Sequence, residues 1–268
     1  SDGEAHGRSS LEIAVWPTRN RRHAILRSLS SYLEHSSRWG HLCPAIVIDD
    51  TESAHERSKL RRDVYELARH YGGRIFYLSP RESPFFDRVI ERAEENGVPR
   101  EVAQFAFSGT DSVKFRLGAN RNCVLAATAG RRVLTCDDDV RMEPYVVDDS
   151  WQSLAIGGYD RHAEWFDAST RDGVLQRVPG TASDIILAHE RVLGYRIDKA
   201  LESWDHEFDP SDLTPTMLRR IEREGHVVVA TCAGFYGDSG VDEAWALLPS
   251  RSGDKTYKHT RLSRQRYR

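Results

Sequence analysis

Four short apolar runs separated by helical patterns constrain this chain more than any other feature of its sequence. Residues 11–16 (LEIAVW), 45–48 (AIVI), 74–78 (RIFYL) and 131–136 (RRVLTC) each have the length and apolar content of a buried strand. Between them, residues 21–33 carry apolar side chains at 25, 26, 29 and 33, and residues 60–71 carry them at 60, 64, 67, 68 and 71. Residues 119–129 repeat at the same helical spacing. Gly72-Gly73 and Gly130 supply the expected stops for two of these helices. A strand, a helix and another strand are most simply joined as a parallel crossover, so the expected fold class is α/β with a mostly parallel central sheet. Such sheets bind ligands outside the carboxyl ends of their strands. Three strand ends here deliver polar residues: Pro17-Thr18-Arg19, Asp49-Asp50 and Asp137-Asp138-Asp139.

The second half of the chain is less regular. Residues 151–166 hold Gly157-Gly158 and several aromatic residues and are expected to include strand, and residues 183–193 mix apolar side chains with His189 and Glu190. Residues 214–224 have Pro215 in the first turn and Gly225 as a stop, which predicts a helix. Residues 227–231 (VVVAT) then predict another strand, and the polar, Arg-rich stretch 250–268 a loop or tail. With no repeat or strong linker before about 250, the expectation is one domain of two lobes, divided as 11–145 and 146–249.

Composition excludes some functions. The 268 residues carry 38 Lys and Arg against 41 Asp and Glu, a net charge of −3, so the basic excess of a nucleic-acid or polybasic membrane binder is missing. No window of about 18 apolar residues is present to span a bilayer. Residues 1–10 (SDGEAHGRSS) are polar, lack the apolar stretch of a secretory signal and carry no initiator Met. They are expected to be a disordered or artificial end, with the domain working inside a longer multidomain chain. Cys43, Cys123, Cys136 and Cys232 are widely spaced, without CxxC, and read as buried thiols of a reduced, cytoplasmic compartment.

The acidic triplet carries the chemistry. Three adjacent carboxylates repel one another unless a cation or basic groups neutralise them. Hard divalent cations take oxygen ligands, and Mg²⁺ or Mn²⁺ commonly joins one or two carboxylates to a substrate's phosphates. Along an extended chain Asp137 and Asp139 point one way and Asp138 the other. A solvated acidic loop is the blander reading of the same three residues.

In this order, the pieces resemble the GT-A glycosyltransferases, particularly the family-2-like enzymes. Ala14-Val15-Trp16-Pro17-Thr18-Arg19-Asn20 is similar to their first strand and nucleotide-touching loop, and Val47-Ile48-Asp49-Asp50-Thr51 to the strand whose acidic pair reads uracil and ribose. Gly118-Ala119-Asn120-Arg121-Asn122, Gly130 and VLTCDDDV look like the helix that leads into the DxD strand, with Met142-Glu143-Pro144 following. The likeness covers residues 11–145 well and implies a Rossmann-like GT-A fold, a single domain with a smaller acceptor-side lobe. It implies a metal-dependent transfer of a sugar, with inversion, from a nucleotide-sugar donor, UDP-sugar favoured. The acceptor would be soluble: a peptide, a protein or a small metabolite.

On that likeness, Asp137 and Asp139 hold Mn²⁺ or Mg²⁺, and Asp49 or Asp50 accepts hydrogen bonds from the base or ribose. Arg19 and Arg121 pair with phosphate or with the triplet, while Asp138 holds the ribose or an Arg; Pro17 and Thr18 line the donor. The Glu-Asp pair expected in the second half is replaced by Trp204-Asp205-His206-Glu207, so Asp205 and Glu207 are the candidate bases, Asp205 first. Asp209 and Ser211 can equally cap the next helix. Gly237-Asp238-Ser239-Gly240 with Asp242-Glu243 reads as an acceptor loop or a tight turn. His259, in KTYKHTRLSR, stands where a further metal ligand arrives in some GT-A enzymes, or is a solvated tail residue. Trp151, Trp165 and Trp204 suit a sugar platform or ordinary packing.

Two other functions compete. A nucleotidyltransferase also uses acids with a metal, but its Gly-rich phosphate loop is absent from WPTRNRR. A glycosyltransferase-like binding module without catalysis fits the missing Glu-Asp pair and conflicts with the intact triplet.

Overall fold

A computed structural model describes residues 11–41, 43–109, 117–143, 184–196, 227–229 and 231. The chain divides into two compact units, Ser1–Glu143 and Pro144–Arg268.

In the first unit the order is β1 (Ile13–Thr18), α1 (Arg22–Trp39), β2 (Ala45–Asp49), α2 (Ala54–Tyr71), β3 (Ile75–Leu78), α3 (Pro84–Glu95), α4 (Arg100–Ser108), α5 (Leu117–Thr128) and β4 (Val133–Thr135). The strands form one parallel sheet in the order β3-β2-β1-β4. Register pairs Val15 with Ile46 and with Thr135, and Ile46 with Phe76. This is a Rossmann-like α/β unit. All five residues of β2 are buried, as a strand covered on both faces requires.

Side-chain alternation along β1 sets the layers. Val15 packs with Ile46, Ile48, Phe86, Cys123 and Val124, which places α3 and α5 on its face. Trp16 points to the opposite face, where its ring meets Tyr32 of α1 edge-on at 4.8 Å and its Nε1 donates to Ser28 Oγ at 2.9 Å. Tyr77 of β3 lies under α2, with the Arg61 guanidinium 5.1 Å above its ring.

Local chemistry sets the helix ends. Ser53 caps α2, its side chain accepting from Glu56 N at 3.4 Å, a Ser-x-x-Glu start. Gly72 closes that helix at φ 63°. No atom stands within 4 Å of a Cβ built there, so Gly72→Ala meets backbone strain alone. It is expected to cost about 1 kcal/mol and lower Tm by a few degrees. An unchanged melting curve would show that the loop relaxes instead.

Helices α3 and α4 were not expected from the sequence. Strand β4 is shorter than the 131–136 run. Arg132 lies before it, where its N donates to Glu12 Oε2 at 3.0 Å and Arg131 Nη1 reaches Glu12 Oε1 at 3.0 Å.

In the second unit, α6 (Ile185–Glu190) is capped by Asp184, whose Oδ1 accepts from Leu187 N at 3.1 Å. His189 Nδ1 lies 2.8 Å from Thr231 Oγ1. The strand expected over 227–231 is not formed among the described residues: Val227 makes one isolated antiparallel bridge to Arg196, and Val229 is 86% exposed. An apolar run this short does not specify a strand without a partner to cover it. The elements expected over 151–166, 214–224 and 250–268 lie outside the described residues.

Candidate functional site

The sheet reverses its order of growth at β1. Strands β1, β2 and β3 are added in one direction, and β4 then pairs with the other edge of β1, so the switch point falls between the carboxyl ends of β1 and β4. Thr18 ends β1, and Asp137-Asp138-Asp139 follows β4. Thr18 Oγ1 donates to Asp138 Oδ2 at 2.6 Å, closing the two strand ends together.

The triplet does not continue the strand. Val140 N donates to Asp137 O at 3.3 Å, a turn across Asp138-Asp139. That turn exposes Asp137 and Asp139 and buries Asp138, the separation expected from alternation but produced by a different backbone path. Helix α1 fixes the turn: Ser28 Oγ donates to Val140 O and lies 3.2 Å from Asp137 O, and Met142 N donates to Ser31 Oγ at 2.8 Å.

Arg21 neutralises the triplet. Its Nη1 donates to Asp138 Oδ1 at 3.1 Å and to Asp139 Oδ2 at 2.7 Å, and the Arg21 side chain is 57% exposed. The pairing with Asp138 first, and with Asp139, raises the Arg21 pKa above its ordinary value. At Asp138 burial outweighs the bonds from Thr18 and Arg21, and its carboxyl is held above the usual range.

The acidic pair after β2 has two different fates. Asp49 is fully buried, with Oδ1 accepting from Thr51 N at 2.8 Å and Oδ2 from Tyr77 OH at 2.6 Å. Each oxygen of Asp49 thus already holds one donor from the scaffold. Burial, then the bond to Asp49, pushes the Tyr77 phenol well above its ordinary range, so it remains a donor. Asp50 is buried too and is met by guanidinium groups: Arg81 Nε donates to its Oδ1 at 3.0 Å, and Arg19 Nε stands 4.0 Å from Oδ2. Arg19 also pairs with Glu52. Arg57 ties the loop after β2 together, donating to Thr51 O and Glu52 O at 2.8 Å and to Glu82 Oε2 at 3.0 Å. Pro17 is half-buried within β1, paired in register with Ile48.

Arg121 is exposed on α5, while Asn120 beside it is buried. Asn120 Nδ2 donates to Thr18 O at 3.5 Å, and its Oδ1 has no hydrogen-bond partner among the described residues. The structure thus adds Arg21, Arg81 and Asn120 to the crevice. Helical period was the usable signal for Asn120, since it shares a face with Cys123, Val124 and Ala127. Arg21 and Arg81 left no local signal.

Cys43, Cys123 and Cys136 are free thiols, and burial pushes Cys123 and Cys136 up to about 12, so neither is a nucleophile at neutral pH. In the second unit burial depresses His189 below its usual value. Asp205, Glu207, His259, Trp151, Trp165, Trp204 and residues 237–243 lie outside the described residues. Among the described residues, no group of three or more His, Cys, Asp and Glu side chains is arranged to hold a metal ion, and no helix is long and apolar enough to cross a membrane.

Fold and crevice together define a class: a parallel α/β unit whose switch point is lined by carboxylates and guanidinium groups. No family model, no curated protein and no solved structure matches the chain.

Proposed function

We propose that this chain is a metal-dependent glycosyltransferase of GT-A type, moving a sugar from a nucleotide-sugar donor, UDP-sugar favoured, to a soluble acceptor with inversion. One observation carries the reading: the acidic triplet sits at the switch point, with Asp137 and Asp139 exposed on either side of a buried Asp138. That is where a parallel sheet takes its ligand.

The residues fit a cation centre that substrate completes. Two exposed carboxylates are too few for a closed cage but suit Mg²⁺ or Mn²⁺, which keep waters and take phosphate oxygens. Arg21 Nη1, bonded to Asp138 and Asp139, already stands in as a positive charge there. Asp137 and Asp139 would hold the metal, which supplies charge neutralisation to the diphosphate leaving group when bound. Thr18 fixes Asp138 and with it the turn; Arg19 and Arg21 offer planar donors to phosphate. Asp50, steered by Arg81, faces the base and ribose. The acceptor's proton falls to Asp205 or Glu207, and His259 would add a late ligand. The cytoplasm belongs to the same reading.

Calorimetric titration of UDP and GDP with and without Mn²⁺ tests it. UDP is expected to bind only with Mn²⁺, and Asp139→Ala to abolish the response. Preference for GDP would change the donor; silence from both nucleotides under every metal condition would remove the donor site.

A further inference from the structure

Arg21 occupies an unusual place for an arginine beside a candidate metal centre. One of its nitrogens, Nη1, bridges Asp138 at 3.1 Å and Asp139 at 2.7 Å, as a small cation would. The residue immediately precedes α1, which starts at Arg22, and no side chain caps that helix. Its neighbour Asn20 has a left-handed backbone at φ 57°, with its N held on Thr51 Oγ1 at 2.9 Å. Arg21 is thus carried on a short loop anchored at both ends, its long side chain more than half exposed. Asp138 keeps a second donor in Thr18, so its carboxylate is not abandoned when the arginine leaves. Among the described residues no second donor reaches Asp139, which is itself more than half exposed.

We propose that Arg21 is an exchangeable counter-ion: it covers the acidic triplet in the ligand-free protein and yields Asp139 when metal arrives with a diphosphate, moving its guanidinium to the phosphate oxygens. The inference rests on the donor-site reading above and adds a regulation to it. A cation approaching alone must displace Arg21 without giving it a new anion. A cation arriving with a diphosphate provides one, and the guanidinium fork suits phosphate at least as well as carboxylate. Metal binding is thereby conditional on nucleotide, and the free enzyme does not hold a metal uselessly.

Mn²⁺ titration of the protein alone, followed by the paramagnetic signal of free Mn²⁺ at low salt, tests this without any turnover. Wild type is expected to bind Mn²⁺ weakly and Arg21→Gln at least about tenfold more tightly, because a positive charge beside the ligands has gone. Arg21→Lys keeps the charge and stays near wild type. The double variant Arg21→Gln/Asp139→Asn returns to weak binding. Adding UDP is expected to reverse the order, wild type then being the tighter binder. If Arg21→Gln does not fold, the wild type still decides: saturating Mg²⁺ should free the Arg21 guanidinium, read as loss of its slowed Nη proton exchange.

Arg21→Gln binding Mn²⁺ no better than wild type, or a guanidinium unmoved by Mg²⁺, overturns the counter-ion role and leaves the donor-site reading standing if UDP still binds with Mn²⁺. Tighter Mn²⁺ binding in Arg21→Gln with no UDP binding in any form retains the displaced arginine and removes the nucleotide.

Discussion

Asp49→Ala is expected to cost the first unit roughly 3–5 kcal/mol, enough to consume a large part of a domain's stability. The carboxylate is fully buried and saturated by Thr51 N–H and Tyr77 O–H. Its removal strands the buried Thr51 N–H, leaves the Tyr77 O–H only the longer bond to Arg57 O at 3.4 Å, and opens a small cavity; a stranded buried donor costs about 1–3 kcal/mol. The damage reaches beyond one side chain, because the Thr51 turn also supports Asn20 N through Thr51 Oγ1 and Arg57 through Thr51 O. Asp49→Asn keeps one acceptor and is expected to lose less than half as much. Urea unfolding followed by circular dichroism measures both. A midpoint for Asp49→Ala within error of wild type would mean that water replaces the carboxylate, and that Asp49 is available to a ligand after all.

On the proposed donor-site reading, Asp138→Asn is expected to do the reverse, weakening metal-dependent UDP binding by about 10–100-fold while leaving the fold as stable or more so. Burial holds the Asp138 carboxyl above its ordinary value despite Thr18 and Arg21. The folded state therefore binds this proton more readily than the unfolded chain. Stability from this group is fully present below the ordinary Asp value of about 3.9 and is lost as pH rises through the raised folded value. A neutral amide escapes that loss. At pH 7–8 the variant should be more stable than wild type, and the gap should close as pH falls toward 4. Arg21 is more than half exposed, so losing its partner leaves no buried charge behind. A variant less stable at pH 8 than at pH 4, relative to wild type, would show that the ion pair outweighs burial. A carboxylate kept at a net cost is what a binding site requires and a scaffold does not.

The fold was legible where apolar runs were long enough to mark both faces of the sheet. Strands β1 and β2 and the glycine ends of α2 and α5 all follow from local pattern. Helix α4 does not stand out because its apolar residues are split between two faces: Ala103 and Phe107 pack inward, while Val102 and Phe105 are both more than half exposed. Ser83-Pro84 at the start of α3 was the available signal, a proline in the first turn. At the site, sequence placed the acids because strand ends are local. It could not assign their partners. Thr18 meets Asp138 and Arg21 meets Asp139 across more than a hundred residues of chain, and nothing in either segment's composition announces the pairing. The same limit explains Asp49 and Asp50: Tyr77, on the adjacent strand, holds the first, and Arg81 and Arg19 meet the second.

The central position of β1 also fixes the order in which the molecule can be assembled as it is synthesised. Once Leu78 has emerged, β1, β2 and β3 have every hydrogen-bonding neighbour they need on one side, and α1 and α2 can cover them. The other edge of β1 stays open until Val133–Thr135 arrives, and this pairing closes the longest loop of the described sheet at the largest entropic cost. Nascent chains thus carry Arg19, Arg21 and Arg81 before Asp137, Asp138 and Asp139 emerge, and this end of β1 is the last part of the described sheet to be completed.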